Sequence, residues 1–266
     1  MLRFACMELM WGGVEGAKFP LWLDEVTVAG FEGIAVRAGT LQPFLDAPET
    51  LRGMLRERGL GLAGAYLRFD EAEAKLDTLC GLLRRLDCGD AILHGGRAAS
   101  ERDRLEAAIR IDALGARAAS LGVRLSYHHH SESLFETLEE TELLLARTDP
   151  RHVGLFLDTG HATQDFRGHP VAERAALLLR RHPARGRFVE FKAWTPERGL
   201  ASELGAGPLD LDAVAAELVR LGHAGWITLE QNAPTPGATP RACAARSLKA
   251  ARACFERIAL GQAPAR

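Results

Sequence analysis

Short apolar runs alternate with longer amphipathic runs along the chain, and the alternation recurs eight times. Several of the short runs are apolar without a polar residue at every second position, which is typical of parallel strands covered on both faces. They predict strands at 2–6, 33–37, 61–67, 91–94, 123–128, 153–158, 187–191 and 226–230.

The longer runs predict helices. Apolar residues recur with the helical period in 76–83 and 211–218, and a helix of the same kind around 248–258 closes the pattern. Glycines follow several of these runs, where the left-handed residue that ends a helix is expected. These are Gly30, Gly59, Gly122 and Gly222.

Eight strands alternating with helices over this length predict an α/β fold, a (β/α)8 TIM barrel. With no linker or low-complexity stretch, we expect residues 1–266 to form a single barrel domain. The alternative is a doubly wound open sheet, which usually has fewer strands. No GxGxxG motif opens a helix after the first predicted strand, which argues against a dinucleotide-binding sheet.

The composition narrows the classes of partner. The 266 residues carry a formal net charge of −2, without a basic face, so no nucleic-acid partner is expected. No apolar run is long enough for a membrane span, and the first residues lack the features of a signal peptide. The five cysteines are scattered along the chain, which indicates reduced thiols instead of a disulfide framework. We expect a cytoplasmic protein.

Polar side chains end four consecutive predicted strands, and the active sites of such barrels lie at these carboxyl-terminal ends. His128 belongs to the stretch LSYHHHSESL at 125–134, and Asp158, Glu190 and Glu230 end the next three strands. We expect the four to converge. Three carboxylates and one imidazole suit Mn²⁺, Co²⁺, Mg²⁺ or Zn²⁺, and without a cation the carboxylates would repel one another.

Each residue also has a structural interpretation. The histidines could belong to a solvated loop, Asp158 could cap a helix, and Glu230 could lie in a surface turn. Glu190 is harder to explain in this way, because an unpaired carboxylate in an apolar strand is costly to bury. Their joint occurrence at one end of the barrel favours a site.

At these residues the chain resembles the xylose isomerase-like TIM-barrel family of sugar isomerases, epimerases and dehydratases, and especially its inosose (2-keto-myo-inositol) dehydratase-like members. The similar segments are GFEGIAVR, YHHHSES, GLFLDTGH, ELGAGPLDL and GWITLEQN, spread over residues 2–258. The resemblance implies one divalent metal held by a Glu, an Asp, a His and a second Glu from strands five to eight.

Asp158 and Glu230 match the Asp and the last Glu of that family pattern. The other two positions depart from it, since His128 stands where sugar isomerases have Glu, and Glu190 stands where the motif has His. Ala193 replaces the Asp of the same motif. The inventory of three carboxylates and one histidine is kept, so a retained metal is our inference. The alternative is a site that has drifted and lost its metal.

The resemblance implies an enzyme acting on a small-molecule sugar or keto-polyol. The missing first Glu argues against epimerisation by two carboxylates and favours a dehydratase, which removes the proton next to a ketone. His130 is the expected base, His161 binds a hydroxyl or acts as acid, and Lys192 meets the developing negative charge. Pocket walls are expected from Trp11, Arg37 and Trp194, and His94 belongs either to the pocket or to the core.

Three rival interpretations stay open. A sugar isomerase or epimerase would share the metal, and a non-catalytic sugar-binding barrel would have lost it. A nuclease like the abasic-site endonucleases of this fold needs further ligands, including a DxH motif, where this chain has ELGAG. Family members often form dimers or tetramers, so the resemblance is compatible with a homo-oligomer.

Overall fold

The computed structural model describes residues 2–261, apart from the side chain of Arg187. Eight parallel strands form its centre. They are β1 (Arg3–Met7), β2 (Gly33–Arg37), β3 (Gly61–Arg68), β4 (Asp90–His94), β5 (Arg124–His128), β6 (Val153–Asp158), β7 (Gly186–Phe191) and β10 (Trp226–Leu229). The sheet closes in the order β1-β10-β7-β6-β5-β4-β3-β2, so every barrel strand has a neighbour on both sides.

Helices surround the barrel. They are α1 (Lys18–Ala29), α2 (Pro48–Glu57), α3 (Ala72–Arg85), α4 (Glu101–Ser120), α5 (Leu138–Arg147), α6 (Thr159–Asp165), α7 (Arg174–Arg181), α8 (Leu211–Arg220) and α9 (Pro240–Ala259). After β7 the chain forms an antiparallel hairpin of β8 (Ala193–Thr195) and β9 (Gly199–Ser202) before α8. Among residues 2–261, the helices do not combine the length and apolar character that crossing a bilayer requires.

Two apolar cores hold the barrel. The larger lies between strands and helices, and the smaller fills the barrel interior, where the rings of Phe156 and Phe188 stack with centroids 5.1 Å apart. The amino-terminal end is closed by Trp226, whose ring requires glycine at Gly33, because a Cβ there would lie 2.5 Å from it. With the interior filled below, the cluster of buried histidines and carboxylates lies at the carboxyl-terminal end.

The structure confirms the predicted barrel. Each observed strand agrees with its predicted range within two residues, and the doubly wound alternative is wrong because the sheet closes on itself. The glycines expected after helices have positive φ, as at Gly30 (93°) and Gly122 (75°). The β8–β9 hairpin was not predicted from the pattern, because strands of three and four residues are too short to show a period.

Candidate active site

Asp158 is the fixed centre of the polar cluster. It is the last residue of β6 and the N-cap of α6, where Oδ1 accepts hydrogen bonds from the backbone N–H groups of Gly160 (2.7 Å) and His161 (2.9 Å). Its own backbone N–H donates to Nε2 of His129 at 3.3 Å. The capping interpretation is therefore correct for one oxygen, and it leaves the second, Oδ2, free for another role.

Nitrogen atoms surround Oδ2 of Asp158. Nε2 of His128 lies at 3.3 Å, Nε2 of His161 at 3.8 Å and Nζ of Lys192 at 3.8 Å, and all these side chains are buried. Burial alone would raise the pKa of Asp158, but His161, Lys192 and His128 outweigh it and lower that pKa. Asp158 is thus an anion at neutral pH, and ligand atoms of Asp158, His128 and His161 lie within 4.8 Å of one another.

The hydrogen bonds of Nδ1 decide which ring nitrogen of neutral His161 carries the proton. Nδ1 accepts the backbone N–H of Ser131 at 3.2 Å and lies 2.8 Å from Ser131 Oγ, which donates to Asp165 at 2.5 Å. A backbone N–H can only donate, so Nδ1 carries no proton and neutral His161 is protonated at Nε2. Burial lowers the pKa of His161, which keeps the ring neutral. Within the cluster His161 is therefore a hydrogen-bond donor, which leaves His128 as the candidate imidazole ligand of a metal.

Lys192 connects two of the predicted metal ligands. Its ammonium forms a short ion pair with Glu230 Oε1 and lies 3.8 Å from Asp158 Oδ2. Although burial alone would lower the pKa of Lys192, the carboxylates of Glu230 and Asp158 raise it, so the ammonium stays charged. The structure therefore brings Glu230 to the cluster, with Lys192 between it and Asp158.

Glu190 is oriented differently from the other predicted ligands. Its Oε2 accepts hydrogen bonds from the hydroxyls of Tyr66 (2.5 Å) and Thr228 (3.1 Å), while Oε1 is buried. Burial, followed by repulsion from Glu230 and Asp158, raises the pKa of Glu190. A proton on Oε1 agrees with the raised pKa and leaves Oε2 to accept the two hydrogen bonds. Glu190 in this arrangement is therefore a neutral acid.

His130 has the geometry of a base. Its Nδ1 lies 2.8 Å from the carbonyl oxygen of Ser131, which can only accept, so Nδ1 carries the proton and neutral Nε2 keeps its lone pair. The ring packs against His161 with centroids 4.1 Å apart. His94 lies on the other side, with centroids 6.4 Å from His130. Burial, followed by repulsion from His130 and Arg68, lowers the pKa of His94 to about 4.

The expected pocket walls are only partly brought together. A cavity of about 350 Å³ is lined by Arg37, Tyr66 and His94, and the Arg37 guanidinium is held by buried Glu8, with Nε 2.5 Å from Oε1. Trp11 does not line this cavity, since its ring packs edge-on against Trp22 and its N–H bonds Glu25 at 2.6 Å. Trp194 is half-buried in β8 and does not line it either.

The residues at the centre fit a divalent cation, and one unsatisfied polar atom supports that fit. Among the described residues, the buried atoms without a hydrogen-bond partner include His128 Nδ1. Such atoms are costly unless another group satisfies them. His128, Asp158 and Glu230 supply the imidazole and carboxylate donors that Mn²⁺, Co²⁺ or Zn²⁺ accept.

Sequence patterns missed the residues that orient the site. Tyr66 comes from β3, 124 positions before its partner Glu190, and Ser131 fixes the ring of His161. His129 is not among the predicted site residues, yet it is fully buried, packs on Phe166 with centroids 5.0 Å apart and accepts a hydrogen bond from the backbone N–H of Asp158. Only its position beside two candidate residues hinted at this.

Comparisons with known proteins agree with this architecture. A family model described as the xylose isomerase-like TIM barrel matches residues 23–254. The chain is 27% identical to the inosose dehydratase of Lactiplantibacillus plantarum, with 82% of each chain covered. It is 29% identical to that of Geobacillus kaustophilus, with 78% of each covered.

Solved structures show the same fold at lower identity. An L-ribulose 3-epimerase superposes with a TM-score of 0.77 at 17% identity, over 100% of both chains. The probable 3-DHS dehydratase AsbF from Bacillus anthracis gives 0.75 at 17% identity, over 94% of this chain and 98% of that one. Together with the family match over most of its length, the barrel shows that the chain belongs to the xylose isomerase-like TIM-barrel family.

Proposed function

We propose that the protein is a divalent-metal-dependent enzyme that removes the proton next to the ketone of a small keto-polyol or sugar, with loss of water as the favoured outcome. The observation that carries the proposal is the buried cluster around Asp158 Oδ2, with a donor nitrogen of His128 at 3.3 Å and an unsatisfied His161 Nε2. Relatives named inosose dehydratase support a keto-polyol and a dehydration.

The proposed ligands are His128, Asp158 and Glu230. Glu190 would join them only after losing its proton and turning away from Tyr66. A bound divalent ion would act as a Lewis acid on the substrate ketone. Because the fifth strand offers His128 in place of a carboxylate, a pair of carboxylates on opposite faces of the substrate is absent, which favours dehydration over epimerisation.

His130 is the proposed base. Its Nε2 takes the proton from the carbon beside the ketone, the electron pair of the broken C–H bond forms a carbon–carbon double bond, and the C=O π pair moves onto the ketone oxygen to give an enolate. His130 then gives that proton to the β-hydroxyl; as the ketone re-forms, the electron pair of the double bond moves between the α- and β-carbons, the bond from the β-carbon to oxygen breaks, and water leaves. His161 donates its Nε2–H to a substrate hydroxyl, and the Lys192 ammonium stabilises the negative charge that develops on oxygen.

A second candidate function is a sugar-binding barrel without catalysis. It is favoured by one observation, the ammonium of Lys192 paired with Glu230 and 3.8 Å from Asp158. A resident cation of this kind reduces the repulsion between the carboxylates without a metal.

Incubation with 2-keto-myo-inositol in deuterium oxide, followed by mass spectrometry, separates the candidates. Dehydration yields a product lighter by one water, and epimerisation yields an unchanged skeleton carrying one deuterium. We expect the lighter product with added Mn²⁺ or Co²⁺ and none with a chelator. Absence of either product with every metal would contradict the proposed enzyme and favour the binding barrel.

The variant His130→Gln tests the base. We expect the rate to fall by about 10²–10⁴-fold while substrate binding changes little, since a positioned acid–base residue contributes this much. The control His152→Gln replaces a half-buried histidine that pairs with Asp112 at 3.3 Å, away from the cluster, and should keep the wild-type rate. Equal rates in both variants would rule out His130 as the base.

A further inference from the structure

A second cavity continues from the histidines toward the rim of the barrel. It measures about 600 Å³ and lies beyond the ends of β3, β4 and β5. His94 and His130 form part of its wall, and Arg68, Arg97 and Glu132 are among its charged lining residues. A substrate reaching the proposed base His130 therefore extends into this cavity.

The loop that carries Arg97 is fixed in place. It starts with Gly95 and Gly96, which both have a φ of 80°. The Tyr127 hydroxyl donates to the Gly95 carbonyl at 2.9 Å, and the Leu134 N–H donates to the Gly96 carbonyl at 3.1 Å. A Cβ on Gly96 would lie 2.6 Å from the Leu134 side chain, so the close contact between this loop and the one after β5 requires glycine. The backbone that presents Arg97 is thus held by contacts from β5 and its following loop.

The charges in this cavity are unequally satisfied. Arg68 is paired with Asp70 through two hydrogen bonds of 3.0 Å. Within residues 2–261 Arg97 has neither an ion pair nor a hydrogen bond, although Glu132 lines the same cavity. The backbone N–H groups of Gly95, Gly96 and Arg97 also have no acceptor within that range. The loop therefore offers a free guanidinium and free N–H donors beside the proposed base.

We propose that the cavity binds an anionic group of the substrate, a carboxylate or a phosphate, with Arg97 as its principal partner. This inference rests on the proposed function, because it assigns a substrate class to the same site. Guanidinium is suited to both anions, since its N–H groups match their oxygen pairs in planar, two-point contacts. The preferred substrate is then an acidic keto-polyol or a sugar phosphate, and a neutral keto-cyclitol, which occupies only the inner part, binds more weakly and is still turned over.

Three cyclitols that lack a ketone, and so cannot react, test the inference by calorimetry with the Mn²⁺-loaded protein. They are myo-inositol (neutral), quinate (a carboxylate) and myo-inositol 1-phosphate. We expect one or both charged ligands to bind about tenfold or more tightly than myo-inositol, the effect of one charged hydrogen-bonding partner. Whichever anion binds more tightly identifies the group.

The variant Arg97→Gln should remove this preference while leaving the affinity for myo-inositol within about twofold, because that ligand has no charged group for Arg97 to bind. This comparison also separates Arg97 from direct contact of an anion with the metal, which the variant leaves intact. The control Arg56→Gln replaces another exposed arginine, on α2 outside the cavity, and should bind all three ligands as the wild type does.

Two results would overturn the inference and are distinguishable. If myo-inositol binds as tightly as the charged ligands, or Arg97→Gln weakens all three equally, the anion site is wrong and the proposed function stands. If none of the three binds, the anion site is also wrong, and the function on which it rests fails with it only if 2-keto-myo-inositol yields no product.

Discussion

Lys192 occupies the place between two carboxylates where a metal ion would also be attracted. Its ammonium is buried, paired with Glu230 and 3.8 Å from Asp158 Oδ2. A divalent ion bound by the same carboxylates would be repelled by this ammonium at short range, more strongly than in water because the site is buried. Lysine and metal would therefore compete for Asp158 and Glu230, and we expect Lys192 to weaken metal binding.

Replacing this lysine should tighten metal binding. We expect Lys192→Met to bind Mn²⁺ about tenfold or more tightly than the wild type, because a neighbouring positive charge is removed. The metal-free variant should also melt at a lower temperature, since its carboxylates lose their counter-ion. Calorimetric titration and thermal melts measure the two effects. The control Lys249→Met replaces an exposed lysine on α9 and should match the wild type. Weaker or unchanged Mn²⁺ binding in Lys192→Met would contradict the competition.

Glu190 makes stability depend on pH in a definite direction. Its pKa is raised in the folded state, so between the unfolded and folded pKa values the folded protein binds more protons than the unfolded chain. Stability therefore falls as pH rises above the unfolded pKa, by up to about 1.4 kcal/mol per pH unit from this group. Glutamine keeps an acceptor for Tyr66 and Thr228 and cannot ionise.

We therefore expect metal-free Glu190→Gln to be more stable than the wild type near pH 8 and equal to it near pH 4. Denaturant unfolding at a series of pH values in the presence of a chelator checks this. A constant difference between the two proteins at all pH values would show that Glu190 is ionised in the folded protein.

Close packing between elements decides where the barrel tolerates change. Gly115 lies inside α4, where a Cβ would approach the backbone carbonyl oxygen of His152 to 2.6 Å, just before β6. Gly81 lies inside α3 and faces open space. The two helical glycines differ only in what lies opposite them, so they separate helix propensity from packing.

Alanine at the two positions should have opposite effects. Gly81→Ala should stabilise the protein by up to about 1 kcal/mol, because alanine is the better helix former. Gly115→Ala should destabilise it by about 1–3 kcal/mol, because α4 must move away from β6. Urea unfolding measures both changes, and stabilisation by both substitutions would mean that α4 packs less closely than observed.

The barrel strands could be predicted because each one is apolar and bounded by helical periodicity. The element positions alone then placed His128, Asp158, Glu190 and Glu230 at one end of the barrel, since parallel strands end together. The orientation of Glu190 could not be predicted, because Tyr66 reaches it from β3 across the barrel. Similarly, the pairing of Lys192 with Glu230 depends on side-chain rotamers that no sequence period reports.

At the scale of the whole molecule, the apolar residues that fill the barrel lie apart from the candidate active site. Phe156 and Phe188 fill its interior and Trp226 covers its amino-terminal end, while the cluster around Asp158 lies at the other end. There, four successive strands β5, β6, β7 and β10 each contribute a candidate ligand, and the loops after β3 and β4 extend the cavity outward. Such an arrangement allows the loops to vary while the central polar side chains keep their positions.

The metal content of the purified protein tests the central claim most directly. Elemental analysis, after incubation with Mn²⁺, Co²⁺, Zn²⁺ or Mg²⁺ and removal of free ions, should give about one ion per chain in the wild type. Asp158→Asn keeps an oxygen for capping α6 but loses the charge, so it should retain little metal, whereas Asp149→Asn, whose carboxylate pairs with exposed Arg151, should match the wild type. A wild type that holds none of the four ions, or an Asp158→Asn variant that holds as much as the wild type, would contradict the proposed metal site.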